Sequence, residues 1–426
     1  MLLAFKANLY RLVIAYMKEH SPDLQPLTPI ERIFRPFATF LKLQTASGIL
    51  LIACAIVALI WANSPWKDAY ATLWGTKFTV GYGESFILSK PLALWVNDGL
   101  MAIFFLLVGL EIKRELMTGE LSSPKQAALP AAAALGGMLV PAGIFAAFNI
   151  GKDTISGWGI PMATDIAFSL GVLALLGKKA PLSLKIFLTA VAIVDDLGAV
   201  IVIAVFYTAT IHWALLAASI GFWLLALLFG KTGGRHPVVF ILLGVAMWVC
   251  MLKSGVHATI AGVLLAIAIP GKMLASEGDP LTEVWEHTLH PWVAYIIMPI
   301  FALANAGVMI GQGFGQALVS AEALGIILGL VLGKPIGLLL FSWMAVKAKL
   351  ADLPAGMGWK QLLGVGFLAG IGFTMSLFVA ELAYPGATDK LNTAKAGILV
   401  ASMIAAIIGY CYIAMAARKS APEQSA

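Results

Sequence analysis

Four charged residues, Asp165, Asp195, Asp196 and Lys334, lie deep inside long runs of apolar residues. A charge at the centre of a bilayer costs about 2.5–3.5 kcal/mol on insertion scales, and such side chains persist where they face a polar cavity or pair with one another. Carboxylates in that setting bind hard cations or protons, and a lysine among them is a counter-ion. Asp195 and Asp196 are adjacent near the middle of their run, in Ala192-Ile193-Val194-Asp195-Asp196-Leu197. Neighbouring helical positions point about 100° apart, so one carboxylate can face a cavity while the other meets a neighbouring helix. Two carboxylates this close repel when both are ionised and titrate as a coupled pair. A buried, protonated acid pair without a task is the alternative.

Asp165 sits in Gly159-Ile160-Pro161-Met162-Ala163-Thr164-Asp165, where Gly and Pro argue against a continuous helix. A break at membrane depth frees backbone carbonyls and amides, tolerable only where they line a cavity or contact protein. Half-helix ends then offer partial charges to an ion, and Thr164 adds a hydroxyl oxygen suited to Na+. The alternative is a Pro kink with Asp165 capping a half-helix. A second break is expected where Gly364, Gly366, Gly370 and Gly372 follow one another closely; a helix-packing face of small residues is its alternative. Lys334, in Gly333-Lys334-Pro335, lies about a dozen residues, roughly 18 Å, from either end of its run, too far to snorkel to water.

Membrane spans must hold these residues. Of 426 residues, 60% are hydrophobic and 12% charged, half the charge of a soluble domain, about 25%, and the mean hydropathy is +0.92. Runs long enough to cross a bilayer occupy about 43–63, 92–112, 128–149, 159–177, 184–207, 212–230, 237–253, 256–270, 290–310, 323–346, 361–384 and 394–417, twelve in all. Spans 3–5 and 10–12 then form two three-span groups that start on opposite sides, each with a broken middle span (4 and 11). This is the pattern of inverted repeats with an ion site at their interface. The fold class is an all-α polytopic membrane protein, with Lys77–Leu88 outside the membrane as either a small β-hairpin or an irregular loop. A hairpin edge would offer a second copy a place to pair.

The net charge of +6 is spread between spans with no dense basic patch, which argues against a nucleic-acid partner. Basic residues crowd one side (Arg32, Arg35, Lys113, Arg114, Lys125, Lys178, Lys179, Lys231, Arg235, Lys347 and Lys349 among them) and are sparse on the other, which places both termini in the cytoplasm. Residues 1–42 are read as an amphipathic segment on the membrane surface, 43–417 as the transmembrane domain and 418–426 as a cytoplasmic tail. Cys54, Cys250 and Cys411 lie far apart in apolar runs, with no disulfide or metal framework.

The segments Pro161-Met162-Ala163-Thr164-Asp165-Ile166-Ala167-Phe168, Ala192-Ile193-Val194-Asp195-Asp196-Leu197-Gly198-Ala199 and Gly333-Lys334-Pro335 closely resemble the NhaA family of bacterial sodium/proton antiporters. So do Leu110-Glu111-Ile112-Lys113-Arg114-Glu115-Leu116, Lys253-Ser254-Gly255-Val256-His257-Ala258-Thr259 and Gly370-Ile371-Gly372-Phe373-Thr374-Met375-Ser376. The resemblance implies a non-enzymatic, cofactor-free, inner-membrane homodimer that exchanges Na+ and Li+ for H+, is activated at alkaline pH, and has spans 4 and 11 unwound and crossing. Asp195 and Asp196 would carry the ions and, with Thr164, bind Na+ as a metal ligand set. Asp165 would balance the facing half-helix dipoles, and Lys334 would pair with Asp195 when no ion is bound. Glu111, Arg114, Glu115, Glu286, His287 and His290 would form a cytoplasmic pH-sensing region, with His257 also affecting pH response. The residues themselves leave plainer readings open: Glu111–Glu115 as an anchor at the membrane interface, and surface histidines that titrate without consequence.

Rival functions are separable. An intramembrane aspartyl protease needs a shared catalytic pair, has no use for Lys334, and would show Gly-x-Gly-Asp, absent around these aspartates. A sodium-coupled symporter would want a substrate cavity beside the ion site. A passive channel has less need of a carboxylate–lysine constellation. Whether Lys334 supplies one of the exchanged protons stays open at this level.

Overall fold

The computed structural model describes residues 29–82, 86–119, 121–177, 180–208, 211–271, 280–311, 313–354 and 357–419. Most of the expected amphipathic segment (1–42) and of the tail (418–426) lies outside them. The chain divides into Met1–Leu43 and Gln44–Ala426. Of the first unit, the described part is the opening of α1 (Pro29–Ala62).

The elements that follow are α2 (Lys67–Gly75), β1 (Lys77–Tyr82), β2 (Phe86–Pro91), α3 (Leu92–Met117) and α4 (Pro124–Asn149). A 3-10 segment (Ile155–Met162) precedes α5 (Ile166–Leu175), α6 (Leu182–Phe206), α7 (Trp213–Lys231), α8 (Pro237–Ser254) and α9 (Ile260–Ala268). The chain ends with α10 (Leu281–Asn305), α11 (Phe314–Leu318), α12 (Ala321–Lys347), α13 (Trp359–Ala369), α14 (Phe373–Ala383) and α15 (Thr388–Lys419). Among the described residues, nine helical stretches are long and apolar enough to cross a membrane, or eleven when two bent pairs each count as one span.

The run expected as a span over 256–270 is helical for nine residues only. Gly255, at φ +86°, turns the chain out of α8, and Pro270 follows α9 closely. A nine-residue helix is about 14 Å long against about 30 Å of hydrocarbon. Its C-terminal carbonyls are met by Lys113, whose Nζ donates to Ile267 O at 2.7 Å and to Ile269 O. The expected extramembrane loop is a hairpin: β1 and β2 pair antiparallel from Lys77 opposite Pro91 to Tyr82 opposite Phe86.

Both three-span groups are present, and their ends run opposite ways. The start of α4 (Lys125, Gln126) lines one cavity with the turn after α12 (Lys349, Asp352). At the other end, Asn149 Nδ2 donates to Ala321 O at the start of α12 (3.1 Å). Glycine sets this contact. A Cβ on Gly136 would overlap the Gly337 carbonyl oxygen, and one on Gly337 the Gly136 carbonyl oxygen. Gly337→Val is therefore expected to cost about 3 kcal/mol, the upper end for overpacking, because the obstructing atoms are backbone. A fall in the thermal unfolding midpoint of the purified protein would register it; an unchanged midpoint would refute the close approach.

α12 also contains a π-helical turn, Gly329–Gly333, immediately before Lys334. Pro335 has no N–H to offer a carbonyl one turn back, and the wider turn accommodates its ring.

A candidate ion site at the crossing of two broken helices

Extended backbone at Ala163–Asp165 separates the 3-10 segment from α5, while Gly370–Gly372 separates α13 from α14, bent by 48°. The two breaks cross. Asp165 N donates to Ile371 O at 2.7 Å, Ser169 Oγ to Leu368 O at 2.8 Å, and Ser376 Oγ to Ile160 O at 2.8 Å. A Cβ on Gly372 would stand 3.1 Å from Ala163 O, and one on Gly370 would overlap Leu330 O. The glycines therefore serve close backbone approach at a break, and the packing-face reading accounts for only part of them.

Asp165 serves two helix starts at once. Its Oδ1 accepts from Phe168 N (2.9 Å), capping α5, and its Oδ2 accepts from Thr374 N (3.1 Å) and Thr374 Oγ1, at the start of α14. A carboxylate facing two N-termini meets both positive dipole ends. Asp165 thus caps, as its plainer reading had it, but for two half-helices. Thr374, Ser169 and Ser376 received no role from sequence. Their signal was small hydroxyl residues beside glycine breaks, where freed backbone groups need partners.

Asp195 and Asp196 are both 1% exposed and face different neighbours. Asp195 Oδ2 accepts from Thr164 Oγ1 (2.6 Å) and from Lys334 Nζ. Thr164 Oγ1 also lies 2.9 Å from Ala369 O, so its single proton serves one of the two at a time. Lys334 is fully buried, which excludes snorkelling. Asp195 Oδ1 and Asp196 Oδ1 are buried without a hydrogen-bond partner among the described residues. Asp196 instead lines a cavity of about 60 Å³ with Glu111, Asp165, His290 and Met375. At ~10–15 Å³ per water-sized probe, the cavity has room for a small cation and a few waters. Among the described residues no three His, Cys, Asp or Glu side chains converge as a metal cluster. The set at hand is two carboxylates, one hydroxyl and freed carbonyls, oxygen donors that suit a hard cation.

The group expected to sense pH divides in two. Arg114 donates to Glu286 Oε1 (2.7 Å) and Glu115 Oε1 (2.9 Å), while Glu111 and His290 line the Asp196 cavity itself. His287 is exposed on α10. His257 belongs elsewhere: its Nδ1 is 2.9 Å from Thr259 Oγ1 and its Nε2 3.9 Å from Asp98 Oδ1, which lies beside the Lys90–Asp98 ion pair. Lys113, inside the same motif, holds the end of α9.

Comparison with known proteins places the chain. The family described as Na+/H+ antiporter 1 matches residues 38–413. The Na(+)/H(+) antiporter NhaA of Oleidesulfovibrio alaskensis is 48% identical, over 96% of this chain and 100% of the relative. The Na(+)/H(+) antiporter NhaA of Rhodospirillum rubrum is 51% identical, over 90% and 98%, and the Na(+)/H(+) antiporter NhaA 1 of Pseudomonas putida 50%, over 93% and 99%. With a matched region that runs from the first span into the last and covers the whole crossing, the chain belongs to the Na+/H+ antiporter 1 family.

Proposed function

We propose that this chain exports Na+, and Li+ with it, in exchange for H+ by alternating access, with Asp195 and Asp196 as carriers. The carrying observation is the buried Asp195–Lys334 pair with an unpartnered Asp196 oxygen beside it, at the crossing of two broken helices. Na+ arriving in the Asp196 cavity competes with the Lys334 ammonium for Asp195, with Thr164 contributing its hydroxyl oxygen. Asp165 holds the two half-helix starts against each other through the cycle. When the site opens to the other face, protons displace the ion and the Asp195–Lys334 pair re-forms. Inverted three-span groups supply the two opposed conformations by symmetry.

If two protons enter for each Na+ that leaves, one net charge crosses per cycle, worth about 2.3 kcal/mol per 100 mV, and export continues at alkaline external pH. Either both aspartates carry the protons or Lys334 releases one when the ion binds. Glu111, Arg114, Glu115, Glu286, His287 and His290 are proposed to set the pH response, because two of them share the Asp196 cavity; His257 would act separately, through Asp98. The protein would sit in the inner membrane as a homodimer joined through the hairpin edge. Residues 1–42 and 418–426 would flank the transmembrane domain on the cytoplasmic side.

The test uses purified protein in sealed liposomes with an acid interior and an internal pH dye. External NaCl should alkalinise the interior and KCl should not; no Na+-driven proton movement from about pH 6.5 to 9, a range wide enough to include a switch near neutrality, would sink antiport. Thr164→Val should raise the half-saturating Na+ concentration about two- to tenfold, the worth of one hydroxyl partner. An unchanged value would remove Thr164 from the site.

A further inference from the structure

One buried carboxylate has no part in the scheme above. Glu322 is in the first turn of α12, behind the N-cap Ser320, and is 5% exposed. Its Oε1 is buried without a hydrogen-bond partner among the described residues. Its other oxygen is hydrogen-bonded with the Tyr384 hydroxyl at the end of α14, and Lys390 of α15 and Asp153 of the turn after α4 act on it electrostatically. From α4 itself comes the neutral Asn149. Lys390 is already engaged with Asp153 Oδ2 at 2.9 Å. Glu322 is therefore buried with no ion-pair partner among the described residues.

The same neighbourhood pins the segment that leads into Thr164 and Asp165. Tyr384 Oη donates to Thr154 O (2.7 Å). Tyr207 Oη donates to Ser156 O (2.7 Å) and accepts from Gly159 N (3.2 Å). Ser156 Oγ donates to Ala383 O (3.1 Å) and Thr154 Oγ1 to Asn149 Oδ1 (2.7 Å). Tyr384 packs so closely on Gly157 that a Cβ there would overlap its hydroxyl. For the ion site to open toward this face, residues 154–159 must part from Tyr384 and Tyr207, and water then reaches Glu322.

We propose that Glu322 is a second proton-binding site of the cycle and latches this face of the protein. Closing buries it together with a proton; opening hydrates it and lets it ionise. The inference rests on the antiport cycle proposed above. Burying an ionised carboxylate without a counter-ion costs far more than burying the neutral acid, so the proton and the closed latch go together. On opening, the O–H bond of the acid breaks and its proton passes to water on that face; on closing, the same face returns one. No net proton crosses through Glu322. Its effect is to make closure after Na+ release depend on acid on that face, the condition that also loads the central carboxylates.

Hydrogen exchange of residues 151–162 in the purified full chain, without Na+ and corrected for intrinsic rates, tests this between about pH 4.5 and 7.5, upward from the ordinary range of a hydrated glutamate. One linked proton changes the opening equilibrium by at most about tenfold per pH unit. Wild type should lose protection as pH rises, Glu322→Gln should lose it with a slope shallower by up to that one proton because only the central carboxylates remain to respond, and Glu322→Asp should retain the wild-type slope. A Glu322→Gln slope equal to that of wild type, whatever its absolute protection, would mean a structural role only and overturn the proposal. So would a wild type without slope. Because no Na+ is present, the result is independent of whether the chain exchanges Na+.

Discussion

Asp196→Asn is expected to abolish Na+-driven alkalinisation in liposomes while leaving the protein folded. The substitution preserves volume at a position whose Oδ1 has no hydrogen-bond partner to lose. What it removes is the charge facing the cavity shared with Glu111, Asp165 and His290. A unit charge 4 Å from a cation is worth about 4 kcal/mol at an effective dielectric constant of about 20, so Na+ binding should weaken on the order of a thousandfold. The variant also loses one of the groups that would bind a proton in exchange. Residual Na+-dependent flux within about tenfold of wild type, less than 1.4 kcal/mol of lost stabilisation, would move the carrier role to another carboxylate of that cavity. Glu111 would be the next to replace.

Lys334→Met should lower stability by about 3–5 kcal/mol, the cost of breaking a buried ion pair from one side. Asp195 is 1% exposed, and its remaining donor would be Thr164 Oγ1. Adding Asp195→Asn should restore most of that stability, because removing both charges leaves no uncompensated ion. Thermal unfolding of the two single variants and the double variant, in the same detergent, measures the coupling directly. A Lys334→Met protein as stable as wild type would mean that the pair contributes nothing to the folded state. A double variant no more stable than the single one would place the loss in packing of the lysine stem. Both double-variant outcomes are readable without any transport assay.

Much of the site was legible because a membrane penalises misplaced charge so heavily. Asp165, Asp195, Asp196 and Lys334 stood out as charges in apolar runs, and the structure brings all four to one crossing. The breaks at Pro161 and at Gly370–Gly372 were readable for a similar reason, since proline and clustered glycine disfavour continuous helix. Thr374 was not, because a buried threonine is common and only its place opposite Asp165 gives it a task. Lys113 was grouped with its acidic neighbours, yet its partners are carbonyls more than 150 residues away. Glu322, just before the run 323–346, carries no signal in the sequence; burial without a counter-ion is a property of its surroundings. The span expected over 256–270 passed on hydropathy, which measures composition and is blind to the turn at Gly255 that leaves only Ile260–Ala268 as helix.

By itself, the sequence determined that this chain lives in a bilayer, where most of its spans fall, and which few ionisable side chains are held at membrane depth. These follow from local cost: each apolar run must be long enough to cross, and each buried charge needs a reason. Only the tertiary structure decided who meets whom. Asp195 turns to Lys334 and Thr164 while Asp196 turns to the cavity, and Asp165 caps two half-helices from different ends of the chain. Such pairings depend on the 100° step between neighbouring residues, the glycine contacts that let backbones touch, and the antiparallel run of α4 along α12. None of these is a property of any one segment.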